Sequence, residues 1–195
     1  MRALCRGLSA AEPRAALAAL CNLAYERRLV AALAGNASCR VPGGFLCTPT
    51  GCCLGELEPA DLVLLGADWR PGDGQRAPSS EWRLHAHVYR AEPGAAAVLH
   101  THSPAATALA LAGRDLEPLT PEMAHFLGRV PCLPFVTPGT DALGAGVAEA
   151  IGRGARAALL ADHGAVAWAS TIRGAFHQAE LLEAAAALAL AGAAR

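Results

Sequence analysis

Three histidines have the spacing of a metal site. His100 and His102 are separated by one residue in the apolar segment 97–102, which predicts a strand. Side chains at positions i and i+2 of a strand project from the same face, so these two imidazoles either bind one ion or are two histidines satisfied by other contacts. His163 follows a second apolar segment, 157–162, and is placed to supply a third imidazole from a strand end. Three neutral imidazoles with an open coordination position are typical of a catalytic zinc site.

Two other groups of candidate ligands are weaker. His85 and His87 lie in a segment predicted as a helix, where two residues correspond to about 200° of rotation, so their rings diverge. Cys47, Cys52 and Cys53 form a rival cluster, but they lack the paired C-x₂-C spacing of structural zinc sites.

The absence of lysine narrows the possible chemistry. The sequence has 195 residues, and all 16 of its basic residues are arginine. This excludes Schiff-base aldolases, pyridoxal-phosphate enzymes and Walker-A nucleotide binders, because each of these classes needs a lysine amine. A charge that develops during a reaction must be stabilised by arginine, backbone amides or a metal.

Composition also constrains partners and location. A net charge of −1 gives no electrostatic basis for binding nucleic acid or an anionic membrane surface. The Ala-rich segment 183–194 is too short to span a membrane. The sequence contains seven cysteines, an odd number, and no apolar segment of the signal-peptide type precedes them. We therefore expect reduced thiols and a cytoplasmic location.

Helical and strand-like segments alternate along the chain and must position the candidate ligands. Hydrophobic periodicity, capping residues and turn residues predict helices over residues 10–33, 78–90, 103–111, 122–127, 140–152 and 171–193. They predict strands over residues 45–48, 62–65, 97–102 and 157–162, with 165–168 pairing with the last of these. Gly35-Asn36 is interpreted as the end of the first helix. The alternation indicates one α/β layered domain over residues 1–195.

Four motifs in order resemble the class II aldolase/adducin family. They are GNASCR (35–40), FLCTPTG (45–51), PSSEWRLHAHVYRAEPGAAAVLHTH (78–102) and LLADHG (159–164), and the likeness extends over about residues 15–190. Within the family the nearest likeness is to enzymes of the L-fuculose-1-phosphate aldolase type. The resemblance implies a three-layer α/β/α fold with a central mixed, largely antiparallel sheet. It also implies a homotetramer with active sites at subunit interfaces.

The resemblance assigns roles to individual residues. It implies that Zn²⁺ is held by His100, His102 and His163; Co²⁺ and Mn²⁺ are alternatives because three histidines accept several ions. Glu81 would be the catalytic acid/base, and alone it would be an ordinary first-turn glutamate. A substrate phosphate would be bound by Asn36, Thr50, Gly51, Ser79 and Ser80, which on their own would be common turn and cap residues.

The chemistry agrees with these residue types. Breaking a C–C bond next to a carbonyl leaves electron density on an enediolate, which a divalent cation can stabilise as a Lewis acid. Three neutral histidines leave the full charge of the cation available. Glu81 can then move the proton at the carbon where the enediolate forms, if the metal and burial tune its pKa.

One segment departs from the aldolase pattern. The family's aldolases use a tyrosine about twenty residues after the His-x-His pair, donated across a subunit interface. Here the corresponding segment, 119–123, contains Glu122, and the related methylthioribulose-1-phosphate dehydratases have a catalytic glutamate in a similar place. Glu122 is therefore either a second catalytic residue or an exposed helix residue. Residues 138–141 look more like the aldolase and sugar-phosphate decarboxylase branches.

Three functions are compatible with the sequence. The first is a zinc-dependent aldolase that cleaves a ketose 1-phosphate, such as L-fuculose 1-phosphate or 5-deoxyribulose 1-phosphate, to dihydroxyacetone phosphate and an aldehyde. The second is another lyase, either a dehydratase of the methylthioribulose-1-phosphate type or a decarboxylase of a sugar-acid phosphate. The third is a non-catalytic adducin-like interaction module.

Overall fold

A computed structural model describes residues 13–193, which form a seven-stranded sheet covered by helices on both faces. The strands are β1 (Asn36–Val41), β2 (Gly44–Cys47), β3 (Val63–Gly66), β4 (Ala97–Thr101), β5 (Cys132–Leu133), β6 (Ala157–Leu160) and β7 (Gly164–Ala169). The helices are α1 (Pro13–Glu26), α2 (Trp82–Ala91), α3 (Pro104–Leu111), α4 (Pro121–Phe126), α5 (Asp141–Gly152) and α6 (Ile172–Ala193).

The sheet is mixed and largely antiparallel. Its strand order is β3-β2-β1-β4-β7-β6-β5, and only the β5–β6 pair is parallel. Since β4 is antiparallel to both neighbours, its carboxyl end lies beside the first residues of β1 and β7. Three distant parts of the sequence therefore meet at one edge of the sheet.

Two hydrophobic cores lie on opposite faces of the sheet. One packs α1, α3, α4 and α6 against the sheet, with Leu17, Leu109 and Leu182 among its fully buried members. The other packs α2 and α5, with Leu84 and Val147. This confirms the predicted three-layer α/β/α arrangement. Within the described residues, no helix combines the length and the apolar character needed to cross a bilayer.

Several predicted boundaries were wrong. The first helix ends at Glu26 instead of residue 33, and its predicted start at residues 10–12 lies outside the described residues. The chain leaves the helix through Arg28 and Ala32, which both have positive φ angles. Val30 remains buried, so the helical spacing that extends the predicted helix to it reflects packing of the loop on the core. The second helix begins at Trp82 instead of residue 78.

Two strands were not predicted. Asn36, interpreted as a helix stop, is the first residue of β1. This strand alternates polar Asn36 and Ser38 with apolar Ala37 and Cys39, but all four are buried, because the polar pair faces α2 and not solvent. The strand β5 has only two residues, which is too short to show the alternating hydrophobic pattern that predicts a strand. The segment 165–168 is paired with 157–160, as predicted, within β7 and β6.

Candidate active site

The strand β4 and the turn between β6 and β7 bring the three predicted histidines together. His100 lies on β4 and His102 follows it directly, while Asp162 adopts a positive φ in the turn that presents His163. The ring centroids are 4.6 to 5.0 Å apart, and one ligand atom from each imidazole lies within 4.8 Å of the others. Among residues 13–193, this is the one group of three or more His, Cys, Asp or Glu side chains that could share an ion.

The imidazoles are prepared to act as neutral ligands. His100 Nδ1 donates to the carbonyl oxygen of Ala165 at 2.9 Å, so its Nε2 carries the lone pair that a metal needs. Burial lowers the pKa of His102 to about 4 and also lowers the pKa of His163, so it disfavours the protonated form of both rings. The nitrogens His100 Nε2 and His102 Nε2 lie 2.9 Å apart. The donor set therefore fits a divalent metal such as zinc.

Glu81 faces this group from the start of α2. Its Oε2 lies 3.1 Å from His100 Nε2, and its Oε1 lies 3.4 Å from His163 Nε2. Burial raises the pKa of Glu81, but in the absence of a metal the hydrogen bond and positive charge of a protonated His100 ring, the charge of His163 and a hydrogen bond from Asn36 lower it well below its ordinary value. The carboxylate is thus ionised and within reach of an atom bound between the three rings.

Asn36 is held at this edge by the glycine before it. Gly35 has a φ of +80°, and a Cβ there would lie 2.9 Å from the His100 carbonyl oxygen. The backbone consequently passes close to β4, where Asn36 pairs with His100 across the two strands. Asn36 Nδ2 donates to Glu81 Oε2 at 3.0 Å, and Asn36 Oδ1 lies 2.6 Å from His85 Nε2.

Two adjacent loops carry the predicted phosphate-binding residues. The backbone N–H of Thr50 donates to Ala77 O at 3.0 Å, and that of Ser79 donates to Thr48 O at 2.9 Å. Ser79 Oγ accepts from the Glu81 backbone N–H at 3.3 Å. Within the described part of the chain, the backbone N–H groups of Gly51 and Ser80 have no protein partner, so both remain available to a ligand.

A cavity of about 240 Å³ joins the loops to the histidines. Its lining contains, among others, Asn36, Thr50, Gly51, Cys52, Ser79, Ser80, Glu81, His102 and His163. No arginine among the described residues lines it, so the donors that it offers on the side of the two loops are neutral hydroxyl and amide groups. The cavity combines one carboxylate, the imidazole group and a set of free N–H and O–H donors.

Glu122 lies elsewhere in the chain. It is exposed on α4 and lines a different cavity, of about 560 Å³, together with Phe126, His177 and Leu181. A single chain therefore does not bring Glu122 to the histidines. The rival cysteines do not form a metal cluster either: Cys47 is buried in the core beside α2, whereas Cys52 lines the site cavity, and all cysteines in residues 13–193 are free thiols.

Comparison with known proteins identifies the family. Residues 15–190 match the model of the class II aldolase and adducin N-terminal domain. The chain belongs to the class II aldolase family. It is 39% identical over 167 residues to a 3-oxo-tetronate 4-phosphate decarboxylase of Cupriavidus necator, covering 82% of this chain and 75% of that protein. It is 35% identical to an L-fuculose phosphate aldolase of Escherichia coli, covering 76% of this chain and 70% of that protein.

A solved structure supports the same membership. The crystal structure of L-fuculose-1-phosphate aldolase from Thermus thermophilus superposes with a TM-score of 0.82 at 33% identity, covering 93% of this chain and 95% of that one. Membership confirms the prediction of an enzyme of the lyase class, in place of a non-catalytic module.

Proposed function

We propose that this class II aldolase family member is a metal-dependent decarboxylase of a phosphorylated 3-oxo sugar acid, of the 3-oxo-tetronate 4-phosphate type. The observation that carries the proposal is that Glu81 supplies the only carboxylate among the described residues lining the histidine cavity. The chain's two tyrosines lie away from that cavity: Tyr89 is buried against Ser38, and Tyr25 packs against Gly55. Decarboxylation requires one group that transfers a proton to carbon, and Glu81 can be that group.

The reaction balances with a single proton delivered to carbon. The C1–C2 bond breaks, C1 leaves as CO₂, and its electron pair passes through C2 to the C3 oxygen as an enediolate. C2 then takes a proton, and the product is dihydroxyacetone phosphate. Glu81, carrying a proton exchanged with the substrate hydroxyl or with solvent, is the group placed to deliver it.

The metal's role follows from its donor set. His100, His102 and His163 would hold a divalent cation, with zinc the favoured ion, and the cation would supply Lewis-acid stabilisation of negative charge on the substrate oxygens. Thr50, with the free N–H groups of Gly51 and Ser80, is assigned to the phosphate.

The remaining phosphate assignments concern Asn36 and Ser79. Asn36 Nδ2 uses one hydrogen on Glu81, and its second hydrogen is available to a substrate oxygen. The Ser79 hydroxyl, which accepts from the Glu81 N–H, still has its own proton to donate. Both residues line the cavity and stay part of the proposed substrate site.

An aldolase acting on a ketose 1-phosphate is the second candidate. It would pass through the same enediolate and release the same dihydroxyacetone phosphate, but it must also remove a proton from the substrate hydroxyl. Glu122 is exposed on α4 and could supply that second group from a neighbouring copy in a homotetramer. The 35% identity to an L-fuculose phosphate aldolase supports this second candidate.

Product analysis separates the two. Zinc-loaded protein would be incubated with 3-oxo-tetronate 4-phosphate, L-fuculose 1-phosphate or 5-deoxyribulose 1-phosphate. Dihydroxyacetone phosphate would be measured by coupling to glycerol-phosphate dehydrogenase, with CO₂ and aldehyde measured in parallel. We expect equal amounts of CO₂ and triose phosphate from the sugar acid. Triose phosphate and aldehyde from a ketose phosphate alone would establish the aldolase, and no triose phosphate from any substrate would reject both.

A further inference from the structure

The first β-strand and the second helix present polar side chains to each other at matching spacings. Glu81, His85 and Tyr89 are four residues apart, so they lie on one face of α2 and its N-terminal cap. Asn36 and Ser38 are two residues apart on β1 and share the face that meets this helix. All five side chains are buried: His85 and Ser38 are 0% exposed, and Glu81, the most exposed, is 7%.

These five residues form an uninterrupted hydrogen-bonded chain. Tyr89 OH lies 3.0 Å from Ser38 Oγ, which lies 2.7 Å from His85 Nδ1. His85 Nε2 lies 2.6 Å from Asn36 Oδ1, and Asn36 Nδ2 lies 3.0 Å from Glu81 Oε2. Every link is shorter than 3.1 Å and none is open to solvent.

The chain has one direction. Glu81 is a carboxylate and can only accept, so Asn36 must turn its NH₂ toward Glu81 and its Oδ1 toward His85. His85 must then donate from Nε2, which leaves Nδ1 to accept from the Ser38 hydroxyl. Ser38 in turn accepts from the phenol of Tyr89. Burial lowers the pKa of His85 to about 3 and raises the pKa of Tyr89, so the first is a neutral imidazole and the second keeps its proton.

We propose that this hydrogen-bonded chain orients the catalytic carboxylate of Glu81 and that His85 is the positioning residue. The proposal rests on the proposed function, in which Glu81 moves the proton. By donating from Nε2, His85 prevents the Asn36 amide from flipping, since a flipped amide would set two donors against each other at His85 and two acceptors at Glu81. Oε2 is thereby held, and Oε1, which has no hydrogen-bond partner among the described residues, faces His163.

The orientation matters because proton transfer depends on small distances. A displacement of about 1 Å in a reacting group can cost about 100-fold in rate. An Asn36 amide without a defined partner on its Oδ1 side would no longer fix the orientation of the Glu81 carboxylate against the imidazoles. We therefore expect loss of the His85 donor to reduce kcat and to leave substrate and metal binding nearly unchanged.

Substitutions at position 85 test the role of the donor. His85→Leu keeps a buried side chain but removes both nitrogens, and we expect kcat to fall about 10- to 100-fold with KM and bound metal within about twofold. His85→Gln places an NH₂ group near the former Nε2 and can donate to Asn36, so it should recover most of the lost kcat. His87→Leu is the matched control on the same helix, because among the described residues the half-buried His87 ring bonds to Asp141 and not to the hydrogen-bonded chain, and it should leave kcat unchanged.

The results would be read against stability and metal content. If His85→Leu retains the kcat of the native protein while it folds and binds metal, His85 does not position Glu81. If His85→Gln is as impaired as His85→Leu, the donor to Asn36 is not the important feature. Tyr89→Phe removes only the first hydroxyl of the chain and gives a folded variant in which a smaller fall in kcat, about two- to fivefold, is expected.

A spectroscopic measurement keeps failure of this inference separate from failure of the proposed function. In ¹⁵N-histidine-labelled, zinc-loaded protein, the ring nitrogen shifts of His85, assigned with His85→Gln, should report the Nε2–H tautomer between pH 5.5 and 8. An Nδ1–H tautomer or an imidazolium would overturn the orienting chain whatever reaction the enzyme catalyses. Absence of turnover by the native protein, with the Nε2–H tautomer observed, would contradict the proposed function and not the direction of the chain.

Discussion

At the scale of single residues, the site depends on a carboxylate that is buried yet ionised. Glu81 contacts His100, His163 and Asn36, and these neighbours outweigh the cost of burying its charge. A carboxylate so placed can both accept a proton and return it within a confined cavity. The same neighbours determine which of its two oxygens is free.

Replacing the carboxylate by an amide isolates proton transfer. Glu81→Gln keeps the size of the side chain and an oxygen that can accept from Asn36. We expect kcat to fall about 10²- to 10⁴-fold, the range for loss of a general acid/base, with zinc content unchanged by elemental analysis. Glu149→Gln, at an exposed position on α5, serves as the control. Near-native kcat in Glu81→Gln would show that another group moves the proton.

The neutral state of His85 predicts a pH dependence of stability. Its folded-state pKa of about 3 lies below the ordinary 6.5, so below pH 6.5 the unfolded chain binds a proton that the folded protein does not. Stability is therefore lost as pH falls from about 6.5 toward 3, at up to about 1.4 kcal/mol per pH unit. Between pH 7 and pH 5, urea unfolding should show His85→Gln losing about 1–2 kcal/mol less than the native protein. Equal losses would mean that His85 is protonated in the folded state.

At the scale of elements, close backbone contacts determine where the ligands point. Gly164 begins β7 directly after His163, and β7 pairs with β4 beside His100. A Cβ on Gly164 would collide with the carbonyl oxygen of Thr101 and lie 3.0 Å from His102 Cδ2. Any side chain at position 164 would therefore disturb both the pairing of β7 with β4 and the position of the ligand His102.

Adding a methyl group at this position should disturb both. We expect Gly164→Ala to lower the free energy of unfolding by about 1–3 kcal/mol, as overpacking does, and to reduce the zinc retained after dialysis. Gly152→Ala is the control, since a Cβ there meets nothing within 4 Å and its φ is not positive. It should unfold at the same or a slightly higher denaturant concentration. Native zinc retention in Gly164→Ala would contradict the predicted coupling.

A second contact between elements supports the segment after His102. The Glu183 carboxylate on α6 accepts from the backbone N–H groups of Ala105 and Ala106, both at 2.9 Å, in the first turn of α3. It thus satisfies two donors that the helix itself leaves unpaired.

Removing this carboxylate should destabilise the protein. Glu183→Ala is expected to cost about 1–2 kcal/mol in urea unfolding, comparable to loss of an N-cap. Glu180→Ala, one turn away on α6, breaks only a surface ion pair with Arg27 and should cost less than about 1 kcal/mol. Similar costs for both variants would show that the contact with α3 contributes little.

At the scale of the whole molecule, a metal would join parts of the chain that are far apart in sequence. His100 and His102 lie at the end of β4, and His163 lies in the turn after β6. An ion that binds only the folded arrangement stabilises it by mass action.

Removal and return of metal test this coupling. Chelation should abolish activity and lower Tm, and zinc at about 1,000 times its Kd should restore about 4 kcal/mol of stability. Calorimetry of chelated and zinc-loaded protein measures the change, and cobalt should restore part or all of it. Magnesium is the control, because it prefers oxygen ligands. An unchanged Tm after zinc addition would contradict binding at the three histidines.

The local sequence pattern was sufficient to predict the three histidine ligands and most of the helices and strands. The His-x-His pair on a strand, the histidine after an apolar run and the breaks at Gly and Pro depend on neighbouring residues, and the structure brings all three histidines together as predicted. The layers followed from the order of the elements and the resemblance. The prediction extends the first helix too far because Val30 keeps helical spacing with the helix although it lies in a loop packed on the core.

Only the tertiary structure decided what the polar side chains do. Asn36 and Ser38 belong to a strand, and His85 and Tyr89 to a helix; their partnership depends on the packing of β1 against α2, which no local period encodes. The four-residue spacing of Glu81, His85 and Tyr89 was visible in the sequence, but its meaning required the facing strand. The sequence determined which groups are available, and three-dimensional packing determined their direction, because hydrogen bonds depend on positions that distant segments set together.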